Sequence, residues 1–290
     1  MGKILALSLL LLVPSEDPAE AAAPSAACVY SSTNGISLGE KGLAEAARTN
    51  SILYAGETHD SEADHAAQLS LLMAAYQIHG QSAAAGFEML NYTLQPVLND
   101  FAEGRISEEE FLNRTDWEKE WGFDYALYRP IFNFIREKGL KALALNLPRA
   151  ITAKIARAGL AGLNTEEREM LPADFRVTEH SGYLSYLRES FGGHGSHGFS
   201  FENYAAAMSA WNETMGEKLA AHLKNRPDAR VVVLAGNGHI IYNAGIPASA
   251  ASRIPGLRQA SFFTRSQTPC LPPPAAEKIP SGDYIWHTGD

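Results

Sequence analysis

Residues 230–239 read RVVVLAGNGH. Val231, Val232, Val233 and Leu234 are apolar at odd and even positions alike. Successive side chains of a strand point to opposite faces, so the run predicts a strand covered on both sides, as in a parallel α/β sheet. It breaks at Gly236 and delivers Asn237 and His239. The same order occurs at 52–59, ILYAGETH, where a short apolar run ends at Gly56 and presents Glu57 and His59. Runs at 84–87 and 142–145 also have strand character and lead into Glu88 and into Asn146 and Arg149, and 259–264 and 283–288 supply two more.

Between these runs lie helical patterns. Tyr204, Met208, Trp211, Met215 and Leu219 recur at spacings of three and four, which puts them on one apolar face. Tyr125, Tyr128, Ile131, Phe132 and Ile135 repeat the pattern, with Pro130 expected to kink or start that helix. Residues 62–79 form a third pattern, for which Asp60 and Ser61 are candidate caps. Strands alternating with helices predict an α/β fold with a largely parallel sheet flanked by helices. The stretch at about 150–228 exceeds one crossover helix and predicts an inserted helical subdomain. It contains a glycine-rich loop, FGGHGSHGFS, with His194 and His197.

The chain has 290 residues, 46% of them hydrophobic and 20% charged, with a formal net charge of −9. No basic cluster is present to follow a phosphate backbone, so nucleic acid is not an expected partner. At the N-terminus Lys3 precedes an apolar run at 4–13 and then an alanine-rich stretch, the order of an export signal occupying 1–28. The mature domain is expected at 29–290. Cys28 is a candidate lipid-anchor residue, which would be the only attachment to a membrane. If cleavage falls in the alanines, Cys28 is instead free to pair with Cys270 in an oxidising compartment.

In an open α/β sheet, ligands bind beyond the carboxyl ends of the strands. The polar residues that end the runs therefore converge if the sheet is parallel, although the first and last are far apart in sequence. Glu57 and His59 share a side if the strand conformation persists, and so do Asn237 and His239. Glu57, His59, Glu88 and His239 are the candidate catalytic residues. Two carboxylates and two imidazoles also suit a divalent metal such as Zn, Mn, Fe or Co, which could acidify a water. The competing reading is a buried polar network that ties strand ends to helix starts. Charges so grouped are costly to bury unless paired or ligated. His65 is expected behind these residues or on the surface.

The motifs YAGETHD, GFEML, WGFDYALYRP, ALNLPRA, WNETM, VVVLAGNGHI and DYIWHT run in order from residue 54 to residue 288. Together they resemble the ChaN type of the haem-binding uptake/Tiki superfamily. The resemblance implies an α/β fold with a helical subdomain, in envelope lipoproteins linked to haem or iron uptake. It also implies, from the Tiki side, metal-dependent peptidase chemistry at Glu57, His59, Glu88 and His239. Asn212 departs from the pattern, standing where an Asp is expected.

Two functions follow as expectations. One is an exported haem-binding protein of the periplasm or envelope, with haem between the sheet edge and the helical subdomain, in a homodimer. Arg149, His194, His197 and Tyr204 are its candidate cofactor-binding residues, since Arg suits a carboxylate and His a haem iron. The other is a metal-dependent hydrolase of a peptide or small molecule, built on the four paired residues.

Overall fold

The computed structural model describes residues 28–193, 198–267, 270 and 279–289. Seven strands form one sheet: β1 (Val29–Ser31), β2 (Ile52–Glu57), β3 (Ala83–Asn91), β4 (Lys141–Asn146), β5 (Arg230–Gly236), β6 (Gln259–Arg265) and β7 (Tyr284–His287). Their order is β1-β7-β6-β2-β5-β3-β4. Every neighbouring pair is parallel except β1–β7, which is antiparallel. The largely parallel α/β sheet is as expected. Three-residue β1 carries too little pattern to be read from sequence.

The valine run behaves as its composition demands. Val232 and Leu234 enter one core with Leu71, Phe87, Phe132 and Phe262. Val231, Val233 and Ala235 enter the core on the opposite face with Ile52, Tyr54, Met215 and Leu219. Burying such a side chain contributes about 1.5–3 kcal/mol, so covering both faces suits β5 to the sheet's interior. The helix Glu62–His79 packs on the first face and Phe201–Asn225 on the second.

The chain leaves β4 through Arg149–Ala158, Thr165–Glu169, Ser181–Gly193 and Phe201–Asn225 before it returns as β5. That return inserts β5 between β2 and β3. Three strand ends separated widely in sequence thereby become adjacent.

Local signals behave mostly as read. Ser61 caps Glu62–His79, its hydroxyl accepting from Asp64 N–H. Pro130 neither starts nor bounds its helix. Asp124 is the N-cap and Tyr125–Lys138 runs through the proline. At the two ends of the glycine-rich stretch, helix continues to Gly193 and Ser200 caps the next one. His194 and His197 lie outside the described residues, as does the expected export signal up to residue 27.

Cys28 and Cys270 form a disulfide with a Cα–Cα separation of 5.4 Å. It ties the segment before β1 to the segment after β6. Cross-linking residues so distant in sequence stabilises a fold by about 2–4 kcal/mol, chiefly by restricting the unfolded chain. Attachment of a lipid to Cys28 would require that bond to be open.

Candidate functional site

Register puts the site together. Glu57, the last residue of β2, lies opposite Gly236, the last of β5. Phe87 of β3 lies opposite Leu234. The β3–β4 register shifts between Phe87 and Asn91. Such bulges re-aim side chains, often beside active sites, and Glu88 sits at this one. Asn146, ending β4, donates from its amide to the Glu88 carbonyl at 2.9 Å, which pins the irregular backbone.

The first pair is local. Glu57 Oε1 lies 2.7 Å from His59 Nδ1. The same oxygen accepts from the Tyr128 hydroxyl at 2.8 Å, and Oε2 accepts from the Gln68 amide at 2.7 Å. Trp121 Nε1 donates to the Tyr128 oxygen at 3.1 Å, and its ring meets His59 edge-on at 4.8 Å. Burial pulls the His59 imidazole down. Its hydrogen bond to Glu57 and the charges of Glu88, Glu57 and Asp60 together outweigh that, so its pKa is raised above the ordinary value. Burial pushes the Tyr128 phenol well up, and the Glu57 carboxylate beside it pushes the same way. Tyr128 therefore stays a donor.

The second pair is assembled from distant parts of the chain. His239 Nε2 is 3.1 Å from Glu88 Oε1, and the Gly236 N–H donates to Glu88 Oε2 at 2.7 Å. Burial would raise the Glu88 carboxyl. The charge of His239 and its hydrogen bond, with His59 and the Gly236 N–H, overcome this and hold it at about 2. His239 Nδ1 lies 2.7 Å from Asn212 Oδ1, and Asn212 Nδ2 donates to the Tyr183 hydroxyl at 2.9 Å.

Gly236 lets the two pairs share one space. A Cβ there would come 2.6 Å from His59 Cε1, 3.1 Å from its Nε2 and 3.6 Å from Glu88 Oε2. His59 thus lies across the end of β5, facing Glu88. All four residues line one cavity of 710 Å³, walled by Trp121, Tyr186, Tyr204, Met208 and Trp211. That volume is within the usual range of ligand sites, about 300–1,000 Å³.

The expected residues divide as follows. Glu57, His59, Glu88 and His239 meet, but as two carboxylate–imidazole pairs. Among the described residues no group of three or more His, Cys, Asp or Glu side chains is placed to hold a metal ion. The physical reason is visible in the bonding: the carboxylate oxygens are taken by imidazoles, Tyr128, Gln68 and the Gly236 N–H. Arg149 and Tyr204 line the same cavity. Arg149 is exposed and its guanidinium donates to the Lys119 carbonyl rather than to a carboxylate. Asn237 does not share an extended strand with His239. The strand ends at Gly236 and a helical turn, Asn237–Ile240, begins. Asn237 exchanges hydrogen bonds with Thr264, its Nδ2 donating at 3.0 Å and its Oδ1 accepting at 3.1 Å.

His65 is buried behind the first pair, its Nε2 3.1 Å from the His59 carbonyl and its Nδ1 3.2 Å from Gln68 Oε1. Asp64, in the same charged stretch, is a structural tie. It accepts from Thr58 N–H and the Thr264 hydroxyl on one oxygen, and from the Thr288 hydroxyl on the other.

Sequence reasoning missed Tyr128 and Gln68 and the roles of Tyr183 and Asn212. Tyr128 sits in an apolar pattern, and helix packing explains Tyr183 equally well. Gln68 left a signal: it shares the buried face of its helix with Leu71, Leu72 and Ala75, where a polar side chain needs a buried partner.

Comparison with known proteins follows from this geometry. The fold is similar to that of ChaN of Campylobacter jejuni, described for cofacial haem binding, with a TM-score of 0.68 at 16% identity, covering 89% of this chain and 94% of that one. It is also similar to the type III effector HopBA1, with a TM-score of 0.51 at 8% identity, covering 86% and 91%. At such identities the likeness shows the fold alone. No match is found among curated proteins. The family model described as haem-binding uptake, Tiki superfamily, ChaN matches residues 43–249, and the chain belongs to that family.

Proposed function

We propose that this protein is an exported haem-binding protein of the cell envelope that serves haem or iron uptake, with haem seated in the cavity at the carboxyl ends of β2, β3 and β5. One observation carries this reading in a member of the family: a 710 Å³ cavity with aromatic walls into which a single imidazole, His59, turns its second ring nitrogen. None of the described residues is hydrogen-bonded to that nitrogen, since Glu57 engages only Nδ1.

The lining fits the group. Trp121, Tyr186, Tyr204 and Trp211 offer flat apolar surface, as a porphyrin needs. His59 Nε2 and the Tyr204 hydroxyl are the groups that would hold a haem iron, and Arg149 at the rim would suit a propionate. Burial, then the neighbouring Tyr186, raises the Tyr204 phenol, so Tyr204 holds its proton until a metal displaces it. A bound haem would supply a Lewis-acidic, redox-active iron. The carboxylates Glu57, Glu88 and Glu120 disfavour propionates deep in the cavity and orient those groups toward Arg149.

The disulfide supports export, because such bonds persist in oxidising compartments. Among the described residues no helix is long and apolar enough to cross a membrane. A homodimer whose cavity mouths face each other is the assembly this reading favours. Hemin titrated into apo-protein should give a shifted Soret band that saturates at stoichiometric loading, weakened in His59→Ala or Tyr204→Phe. An unshifted band at micromolar protein overturns the reading. Size-exclusion chromatography with and without hemin tests the dimer, and intact mass tests the disulfide against a lipidated Cys28.

A second reading is favoured by the two carboxylate–imidazole pairs: general acid–base hydrolysis, with His59 Nε2 as the base and Glu57 as the group that orients it. A panel of chromogenic esters and peptides, compared between wild type and His59→Ala, tests it. Equal rates for the two proteins would remove it.

A further inference from the structure

The two pairs differ in where their protons must sit. Tyr183 is fully buried. Its oxygen lies 2.9 Å from the Gly238 carbonyl and 2.9 Å from Asn212 Nδ2. A carbonyl only accepts, so the single phenolic proton goes to Gly238. The Tyr183 oxygen is left to accept, which turns the amide nitrogen of Asn212 toward it. Amide orientation is assigned from such a network, and here it is fixed from the carbonyl end. Asn212 Oδ1 therefore faces His239 Nδ1 at 2.7 Å and can only accept. The Nδ1 atom carries a proton. Gly245 leaves room for the amide, since a Cβ there would come 3.2 Å from Asn212 Cγ.

With Nδ1 committed, His239 meets Glu88 through Nε2 alone, at 3.1 Å. A nitrogen lone pair facing a carboxylate at that distance repels it, so one proton lies between the two groups. Glu88 Oε2 is already engaged by the Gly236 N–H. The Glu57–His59 pair is reversed. Both Glu57 oxygens accept, from Tyr128, Gln68 and His59 Nδ1–H, so His59, when neutral, presents a bare Nε2 to the cavity.

We propose that Tyr183 and Asn212 are positioning residues that hold the His239 proton on Nδ1, so that the proton shared by His239 Nε2 and Glu88 is the one the cavity can give to a bound oxygen. This rests on the acid–base reading for its chemical use. There, His59 Nε2 takes one proton of an attacking water as the water oxygen bonds to the acyl carbon, the acyl–oxygen bond of the ester breaks, and the Nε2–Glu88 proton passes to the departing alkoxide oxygen. That transfer leaves a neutral His239 beside a carboxylate until the proton gained by His59 is returned to the pair. The substrate class is an ester small enough for the cavity.

The arrangement of protons is testable without turnover. Full-length protein labelled with ¹⁵N-histidine, with His239 assigned by His239→Gln, should show a protonated, slowly exchanging Nδ1 at neutral pH. Asn212→Leu should shift the ring to the Nε2–H tautomer. Asn212→Asp should retain Nδ1–H, because it still offers an acceptor. Tyr183→Phe, which removes one hydroxyl and leaves the packing, should give two His239 forms in place of one, and it serves if Asn212→Leu does not fold. A bare Nδ1 in the wild type, or ring shifts unchanged in both Asn212→Leu and Tyr183→Phe, overturns the proposal. If a chromogenic ester is turned over, Asn212→Leu should lower kcat about tenfold or more with little change in KM. An unchanged kcat overturns the donor role. A locked Nδ1 with no turnover of any ester or amide removes the acid–base reading and leaves the positioning intact.

Discussion

The two carboxylate–imidazole pairs hold the same chemical groups and are built in opposite ways. Glu57 and His59 are two residues apart at the end of one strand, and their partners Gln68 and Tyr128 come from the helices that cover one face of the sheet. Glu88 comes from β3 and His239 from the helical turn that follows β5, and they are joined only because β5 enters between β2 and β3. The first pair leaves one imidazole nitrogen toward the cavity, whereas the second has both nitrogens engaged. A local pair can be exposed and reactive, while a pair that links distant segments also holds the sheet edge together.

The contrast predicts unequal costs of removal. Glu88→Ala leaves His239 and the Gly236 N–H without their partner in a buried site, and breaking such a pair typically costs about 3–5 kcal/mol. Urea denaturation of the variant should show this loss, and His59→Ala, removing a half-exposed ring, should show much less. Similar losses for the two variants would break the comparison.

Gly236→Ala strikes the point where the pairs meet. The new methyl would fall 2.6 Å from His59 Cε1, so the ring must move, at a cost of about 1–3 kcal/mol. The hemin-induced Soret shift should weaken in this variant more than its melting temperature falls. An unaltered titration would separate His59 from the haem site.

Tyr128→Phe removes one neutral donor from Glu57, with an expected loss of about 1 kcal/mol. The His59 ring nitrogens, followed by NMR, should lose part of their order while those of His239 stay unchanged. Movement of both would mean that the pairs are coupled.

The pairs should also diverge with pH. The Glu88 carboxyl is held at about 2, below the ordinary carboxylate value. Its contribution is present above that ordinary value and is lost as pH falls toward 2. His59 is raised above the ordinary imidazole value. Its contribution is full below that ordinary value and is lost as pH rises through the raised one. Stability measured from pH 3 to pH 9 should therefore lose its acid limb in Glu88→Gln and its smaller alkaline limb in His59→Gln. Loss of the same limb in both would overturn the assignment.

Much of this was legible in the chain. The run at 231–235 is apolar at every position, which only a strand covered on both faces explains, and Glu57, His59, Glu88 and His239 were found because each closes such a run. The residues that orient them were not found so readily. Tyr128 and Tyr183 lie in apolar patterns that packing alone accounts for, and their hydroxyls acquire meaning only from the partner opposite. The expectation of a shared metal is left without support for the same reason: residue types suggested four ligands, and the described residues form two pairs.

Sequence by itself determined that two apolar runs reach a glycine and then present polar groups ending in an imidazole, His59 and His239, because periodicity and turn chemistry act over a few residues. It also placed Glu57 beside His59, which are close along the chain. Only the tertiary structure decided that Glu88 meets His239, that Asn212 and Tyr183 stand behind them, and that Cys28 reaches Cys270. Those contacts depend on the order of strands in the sheet, and that order is set by how the whole set of apolar faces is buried at once.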